Sequence, residues 1–134
     1  DDDRALNQGV ERFAADPDAV AALAYDSDLS GDIILPTVTI HARYDPTVFV
    51  EHSAMYANTV GEAGRSNLLV QTFTTETEHS RLSAPQYVAL LESLEAWIET
   101  GERPTPAGIA AACEALAPRM REPCRIDPGF YPQP

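Results

Sequence analysis

The sequence predicts an α/β protein with parallel strands, and three observations carry that prediction. The run from Ile33 to His52, IILPTVTIHARYDPTVFVEH, starts apolar and β-branched and breaks at Arg43-Tyr44-Asp45-Pro46. It reads as a buried strand that delivers an acid, Asp45, to its C-terminal end. A second run, Leu68 to Thr74, breaks the same way in Glu76-Thr77-Glu78-His79. Each run is followed by apolar residues at helical spacing. Parallel strands cannot be joined by a tight turn and need a crossover, usually helical, so the order strand-helix-strand-helix implies a parallel sheet. An Asp and a His would then emerge on one edge of that sheet.

Length and composition bound the alternatives. A chain of 134 residues is the size of one domain, and a compact body of this size buries roughly two-thirds of its unfolded surface. The apolar share of 44% is ordinary for a globular protein. The formal charge of -12 comes from 21 acidic against 9 basic residues, every basic one an Arg. Such a surface repels nucleic acid and anionic membranes, so neither is expected as a partner. There is no run of 18 apolar residues and no basic-then-apolar leader, so neither a membrane span nor a signal peptide is expected in the chain as it stands. Asp1-Asp2-Asp3 reads as a solvated end, and a start without Met suggests processing or a cut upstream.

Taken in order, a polar start leads into a helix over the first fourteen residues, with Leu6, Val10 and Phe13 at helical spacing. Asp16-Pro17 has the form of an N-cap and a first-turn proline, opening a short helix to about Tyr25. DSDLSGD, from Asp26 to Asp32, is a loop by composition. In the first strand Val38 and Ile40 face one way, and Thr37, Thr39 and His41 the other. From about Val50 to Ala63 the residues Met55, Tyr56, Val60 and Ala63 give a helix that Gly64 stops. Arg65 to Asn67 is a turn before the second strand. Ser83 and Gln86 form a capping box for a helix whose stripe is Tyr87, Leu90, Leu91, Leu94, Trp97 and Ile98, stopped by Gly101. Thr105-Pro106 opens a last helix, with Ile109, Ala112, Cys113 and Leu116 on one face. Beyond Pro118 the proline-rich tail reads as extended chain laid on a surface.

Two parallel strands leave an unpaired edge on each side, so this chain is expected to complete a sheet supplied by another chain or segment. Its parts are 1-32, a helical segment; 33-104, the sheet-bearing core; and 105-134, a C-terminal helix and tail. Cys113 and Cys124 are the one available cysteine pair. A disulfide between them would pin the tail and imply an oxidising compartment, secreted or periplasmic; two free buried thiols are the alternative.

The residues from Ile33 to Pro106 resemble the C-terminal part of the α/β-hydrolase family, a three-layer sandwich. LPTVTIHARYDPTVFVEH is similar to the segment in which a strand presents the triad acid. LLVQTFTTETEHS is similar to the strand and loop that present the triad histidine, and the helix ending LEAWIETGERPTP to the closing helix. The resemblance implies that Asp45 is the acid and His79 the base of a Ser-His-Asp triad, and that residues 1-32 end a cap region. It departs from the family at Glu78, where a glycine often precedes the histidine. No GxSxG occurs, and Ser27, Ser30, Ser53, Ser66, Ser80, Ser83 and Ser93 all lack a nucleophile-elbow context.

The implied function is that of the C-terminal chain of a serine hydrolase cleaving carboxylic esters. An N-terminal chain of the same hydrolase, separated by proteolytic processing, would supply the Ser and the oxyanion hole. The substrate would be a small ester, and no cofactor is needed. The alternatives are a peptidase or amidase of the same fold, and a non-catalytic binding module. Blander roles stand beside these: an Asp before Pro is a common turn former, and a lone loop His is commonly solvated. His41 and His52 could join Asp45, Glu51, Glu76, Glu78 and His79 in a metal site on paper, but no HExxH spacing exists and no metal is expected. Trp97 and the Leu stripe read as core.

Overall fold

The computed structural model describes residues 2–133, so Asp1, part of the expected solvated end, and Pro134, the last of the tail, lie outside it. The elements are α1 (Asp2–Gly9), α2 (Pro17–Ser27), β1 (Thr37–Ala42), α3 (Glu51–Glu62), β2 (Leu69–Thr74), α4 (Ala84–Thr100) and α5 (Pro106–Met120), with a 3₁₀ turn at Ser66–Leu68. β1 and β2 pair in parallel, Thr37 opposite Leu69 and Ala42 opposite Thr74, with α3 as the crossover.

The two faces of β2 are packed differently. Val70 joins Ala89, Trp97, Ile109 and Cys113 in the main core, against α4 and α5. On the opposite face the Gln71 amide donates to the Ser53 carbonyl of α3 at 2.9 Å, and the Phe73 ring meets Phe130 and Tyr131 edge-on. α4 and α5 form a helical hairpin. Gly101, at φ 76°, ends α4 in the left-handed region, and the Thr105 hydroxyl caps α5 by accepting from Gly108 N. Cys113 and Cys124 are joined in a disulfide, which ties the tail to α5. Among the described residues no helix is long and apolar enough to cross a membrane.

The first strand is shorter and more open than its apolar run predicts. β1 begins at Thr37, and Ile34 and Leu35 stand 76% and 68% exposed. Pro36 offers no N–H to a ladder, and β2 begins opposite Thr37, so Ile33 to Leu35 have no strand beside them. Only Ala42 of β1 is buried, whereas every residue of β2 except Gln71 is. Gly31 fixes the approach to β1. Its φ is 70°, and a Cβ there would collide with the Thr59 carbonyl at the end of α3.

The edges of the sheet differ too. β2 is covered on its outer side by the tail: Asp127 N donates to the Phe73 carbonyl at 2.8 Å and Thr75 N to the Arg125 carbonyl at 2.9 Å. The Arg103 guanidinium donates to the Leu69 carbonyl. On β1, Arg43 N donates to the Thr74 carbonyl and Thr39 accepts from the Thr72 hydroxyl, so odd positions face β2. By alternation Val38 and Ile40 direct their backbone groups to the far side, where no described residue meets them.

Four further expectations are corrected. The first helix stops at Gly9 and buries none of its residues, so Leu6, Val10 and Phe13 face solvent instead of a core. The stripe of α4 is split: Leu90, Leu94 and Trp97 face the core, while Tyr87, Leu91 and Ile98 face outward, because α5 and the sheet cover only one side. The Ser83 hydroxyl does not cap α4; it donates to the Pro123 carbonyl, and the Glu122 carboxylate accepts from Ala84 N. α5 continues through Pro118 to Met120, the proline leaving the helix one N–H short near its end. The tail beyond it is more than surface dressing, since it pairs with β2.

Candidate active site

Asp45 leaves the end of β1 in a tight turn, its own N–H donating to the Ala42 carbonyl at 3.2 Å. Its carboxylate then divides two tasks between two oxygens. Oδ1 accepts from Thr47 N at 2.8 Å and Val48 N at 3.0 Å, the local turn that Asp before Pro favours. Oδ2 lies 2.8 Å from Nδ1 of His79. The turn-forming role and the histidine-facing role therefore coexist in one side chain. The carboxylate is almost covered, at 6% exposed, while the imidazole is 47% exposed.

The electrostatics follow from these contacts. Desolvation pushes the Asp45 carboxyl up, but the Val48 and Thr47 amides, then the His79 bond and charge, outweigh it and hold the pKa at about 2. Asp45 is an anion at neutral pH and can only accept, so Nδ1 of His79 carries the proton of that bond. In the neutral tautomer that this bond selects, Nε2 carries the lone pair, and no described side chain bonds to it.

His79 sits in the loop between β2 and α4. Glu78, where the resembled family often has glycine, is accommodated without strain: the left-handed residue of the loop is Ser80, at φ 55°. The Glu78 carboxylate also turns away from His79 to Arg81, at 2.8 Å, in an exposed pair. The Tyr87 hydroxyl donates to the Ser80 carbonyl at 3.4 Å. Below the loop, buried Gln86 donates from Nε2 to Glu76 at 3.0 Å and to the Ser83 hydroxyl at 2.9 Å. A cleft of about 400 Å³ opens at the pair, walled by Ile40, Val48, Leu82 and Tyr87. A larger hollow of about 690 Å³ lies away from it, between α3, the start of β2 and Tyr131, and holds neither Asp45 nor His79.

Of the other histidines, His41 also lines the cleft at the pair, and His52 does not. His41 engages the Ala42 carbonyl at 2.9 Å, and the His52 ring sits edge-on to Phe49. Among the described residues no three His, Cys, Asp or Glu side chains are grouped to hold a metal ion. Sequence reasoning missed the residues that brace the loops. Arg43 reaches Asp127 at 3.4 Å and stacks on Phe130 at 4.3 Å, Arg125 approaches Glu76 at 3.7 Å, and Glu122 caps α4. None of these has a periodic signature; their signal was proximity to Cys124, whose bond to Cys113 brings the tail back to the sheet.

No family model, curated protein or solved structure matches this chain. What the geometry defines is a chemical unit. A carboxylate-oriented imidazole with a free Nε2 at an open cleft can take a proton from a hydroxyl and return it to a leaving group.

Proposed function

We propose that this chain is the C-terminal part of a serine hydrolase of α/β-hydrolase type, with Asp45 and His79 as triad acid and base. The observation that carries the reading is the 2.8 Å bond from His79 Nδ1 to a nearly covered Asp45, with both residues lining an open cleft. The nucleophilic Ser and the oxyanion donors belong to an N-terminal chain or segment, which also provides the strand beside β1. His79 Nε2 takes the hydroxyl proton as that serine attacks the carbonyl of a carboxylic ester, then hands it to the departing alcohol. Water activated by the same nitrogen cleaves the acyl-enzyme, while Asp45 holds the tautomer and offsets the imidazolium charge. The chemistry calls for no cofactor. The Cys113–Cys124 disulfide supports a secreted or periplasmic setting.

Ester-hydrolysis kinetics on the isolated native material test the assignment. Asp45→Asn is expected to lower kcat by something on the order of 10⁴, the size seen when a triad acid is neutralised elsewhere. A loss of less than about tenfold would remove Asp45 from the triad. His79→Ala with full activity would remove the base.

A further inference from the structure

One short stretch of tail touches both ends of the His79 loop and the residue that follows β1 ahead of Asp45. The Arg125 carbonyl accepts from Thr75 N at 2.9 Å, and the Arg125 guanidinium approaches Glu76, so the start of the His79 loop is held. At the end of that loop the Pro123 carbonyl accepts from the Ser83 hydroxyl at 2.7 Å, and the Glu122 carboxylate from Ala84 N at 2.8 Å. On the Asp45 side the Asp127 carboxylate meets Arg43, which follows directly on β1, and Asp127 N donates to Phe73 of β2. Cys124 lies inside this stretch and is bonded to fully buried Cys113 of α5. We propose that Glu122 to Asp127 form a strap that positions the Asp45–His79 pair, and that the Cys113–Cys124 disulfide is the anchor on which the strap depends.

The physical basis is the cost of ordering chain. The His79 loop, from Thr75 to Ser83, has no regular structure, and each ordered residue costs roughly 1–2 kcal/mol of backbone entropy. Fixing both ends of the loop to one stretch removes much of its freedom. The strap has no helical or strand ladder of its own beyond the single bridge between Thr74 and Ile126. Its contacts with β2 and the His79 loop are few and short-range, and the disulfide is the one covalent tie that holds it to the core. A dithiol reductant would convert the bond to two protein thiols, itself becoming a cyclic disulfide, and free the strap without touching either member of the pair.

This inference takes its meaning from the proposed hydrolase, but its test reads the pair alone. The chain is observed in the form in which it is isolated, with any partner chain left in place, by ¹⁵N-edited NMR of the His79 imidazole. The oxidised protein is expected to show a downfield, slowly exchanging Nδ1 proton. Dithiothreitol, or the double change Cys113→Ser and Cys124→Ser, is expected to abolish that signal and to speed exchange of the Thr75 amide by about tenfold or more, while core amides of β2 stay protected. Glu122→Ala, with the disulfide intact, is expected to speed Nδ1 exchange by about threefold to tenfold, the size of a lost helix cap. Glu122→Gln should restore it, since only an acceptor oxygen is needed.

A strap with a merely structural role would lower the melting temperature in these variants and leave the His79 signal unchanged. That result, in the reduced but folded chain or in Glu122→Ala, overturns the proposal. If the cysteine variant does not fold, Glu122→Ala decides. No turnover enters this readout, so a chain that cleaves no ester can still show the strap, and an active one can lack it.

Discussion

β1 and β2 have the same length and lie side by side, yet one belongs to a finished half of the molecule and the other to an unfinished half. β2 has α3 and the aromatic tail residues on one face, α4 and α5 on the other, and a neighbour at each edge. β1 has β2 on one edge and nothing among the described residues on the other, and five of its six residues are only partly buried. Further apolar groups are without cover: Ile34, Leu35 and Phe49, and, nearer the start of the chain, Leu6, Phe13 and Tyr25. The Asp45–His79 pair spans this divide, with Asp45 on the open half and His79 on the closed one. What holds Asp45 in place belongs to this chain: its own turn through Thr47 and Val48, and the contact of neighbouring Arg43 with Asp127 of the tail.

Three substitutions sharpen that contrast. Trp97→Ala strikes the closed half, where the indole packs with Val70, Ile109 and Cys113, and is expected to cost about 3–5 kcal/mol in chemical denaturation. A cost under about 1 kcal/mol would mean that this half is not the source of stability. The next effect is electrostatic. Folding lowers the Asp45 pKa from its ordinary 3.8 to about 2, so the carboxylate stabilises the fold above 3.8, and that contribution is lost as pH falls through 2. Stability measured from pH 5 to pH 2 should therefore fall more steeply in the native sequence than in Asp45→Asn; parallel curves would mean that the anion is not held. The smallest effect belongs to the open surface. Leu91→Ala, on the exposed side of α4, should change stability by no more than about 0.5 kcal/mol in the chain alone. A loss above about 1 kcal/mol would mean that this side of α4 is packed and not open.

Much of this was legible in the sequence where one residue type performs one local job. Asp16-Pro17 and Thr105-Pro106 start helices, Gly64 and Gly101 stop them, and the abrupt ends of two apolar runs locate Asp45 and His79 beside the sheet edge. Parallel pairing followed from the crossover order. What could not be read depends on distant contacts. Ser83 and Gln86 have the spacing of a capping box, but Glu122, far along the chain, takes the cap and leaves the Ser83 hydroxyl to Pro123. The Tyr87, Leu91 and Ile98 side of α4 looks like core by periodicity, and periodicity cannot tell an interior from an apolar surface. Pro36 carried a clue to the late start of β1, but its weight depended on where β2 begins.

The most direct test of the catalytic reading is to treat the native material with a serine-reactive phosphonate and determine the intact masses of all chains under denaturing conditions. The reading predicts a label on a serine outside Asp1 to Pro134, in a GxSxG-like setting, with labelling lost in His79→Ala. A chain that is folded, isolated without any further segment and unlabelled would contradict it, and the pair of Asp45 and His79 would then belong to a binding module.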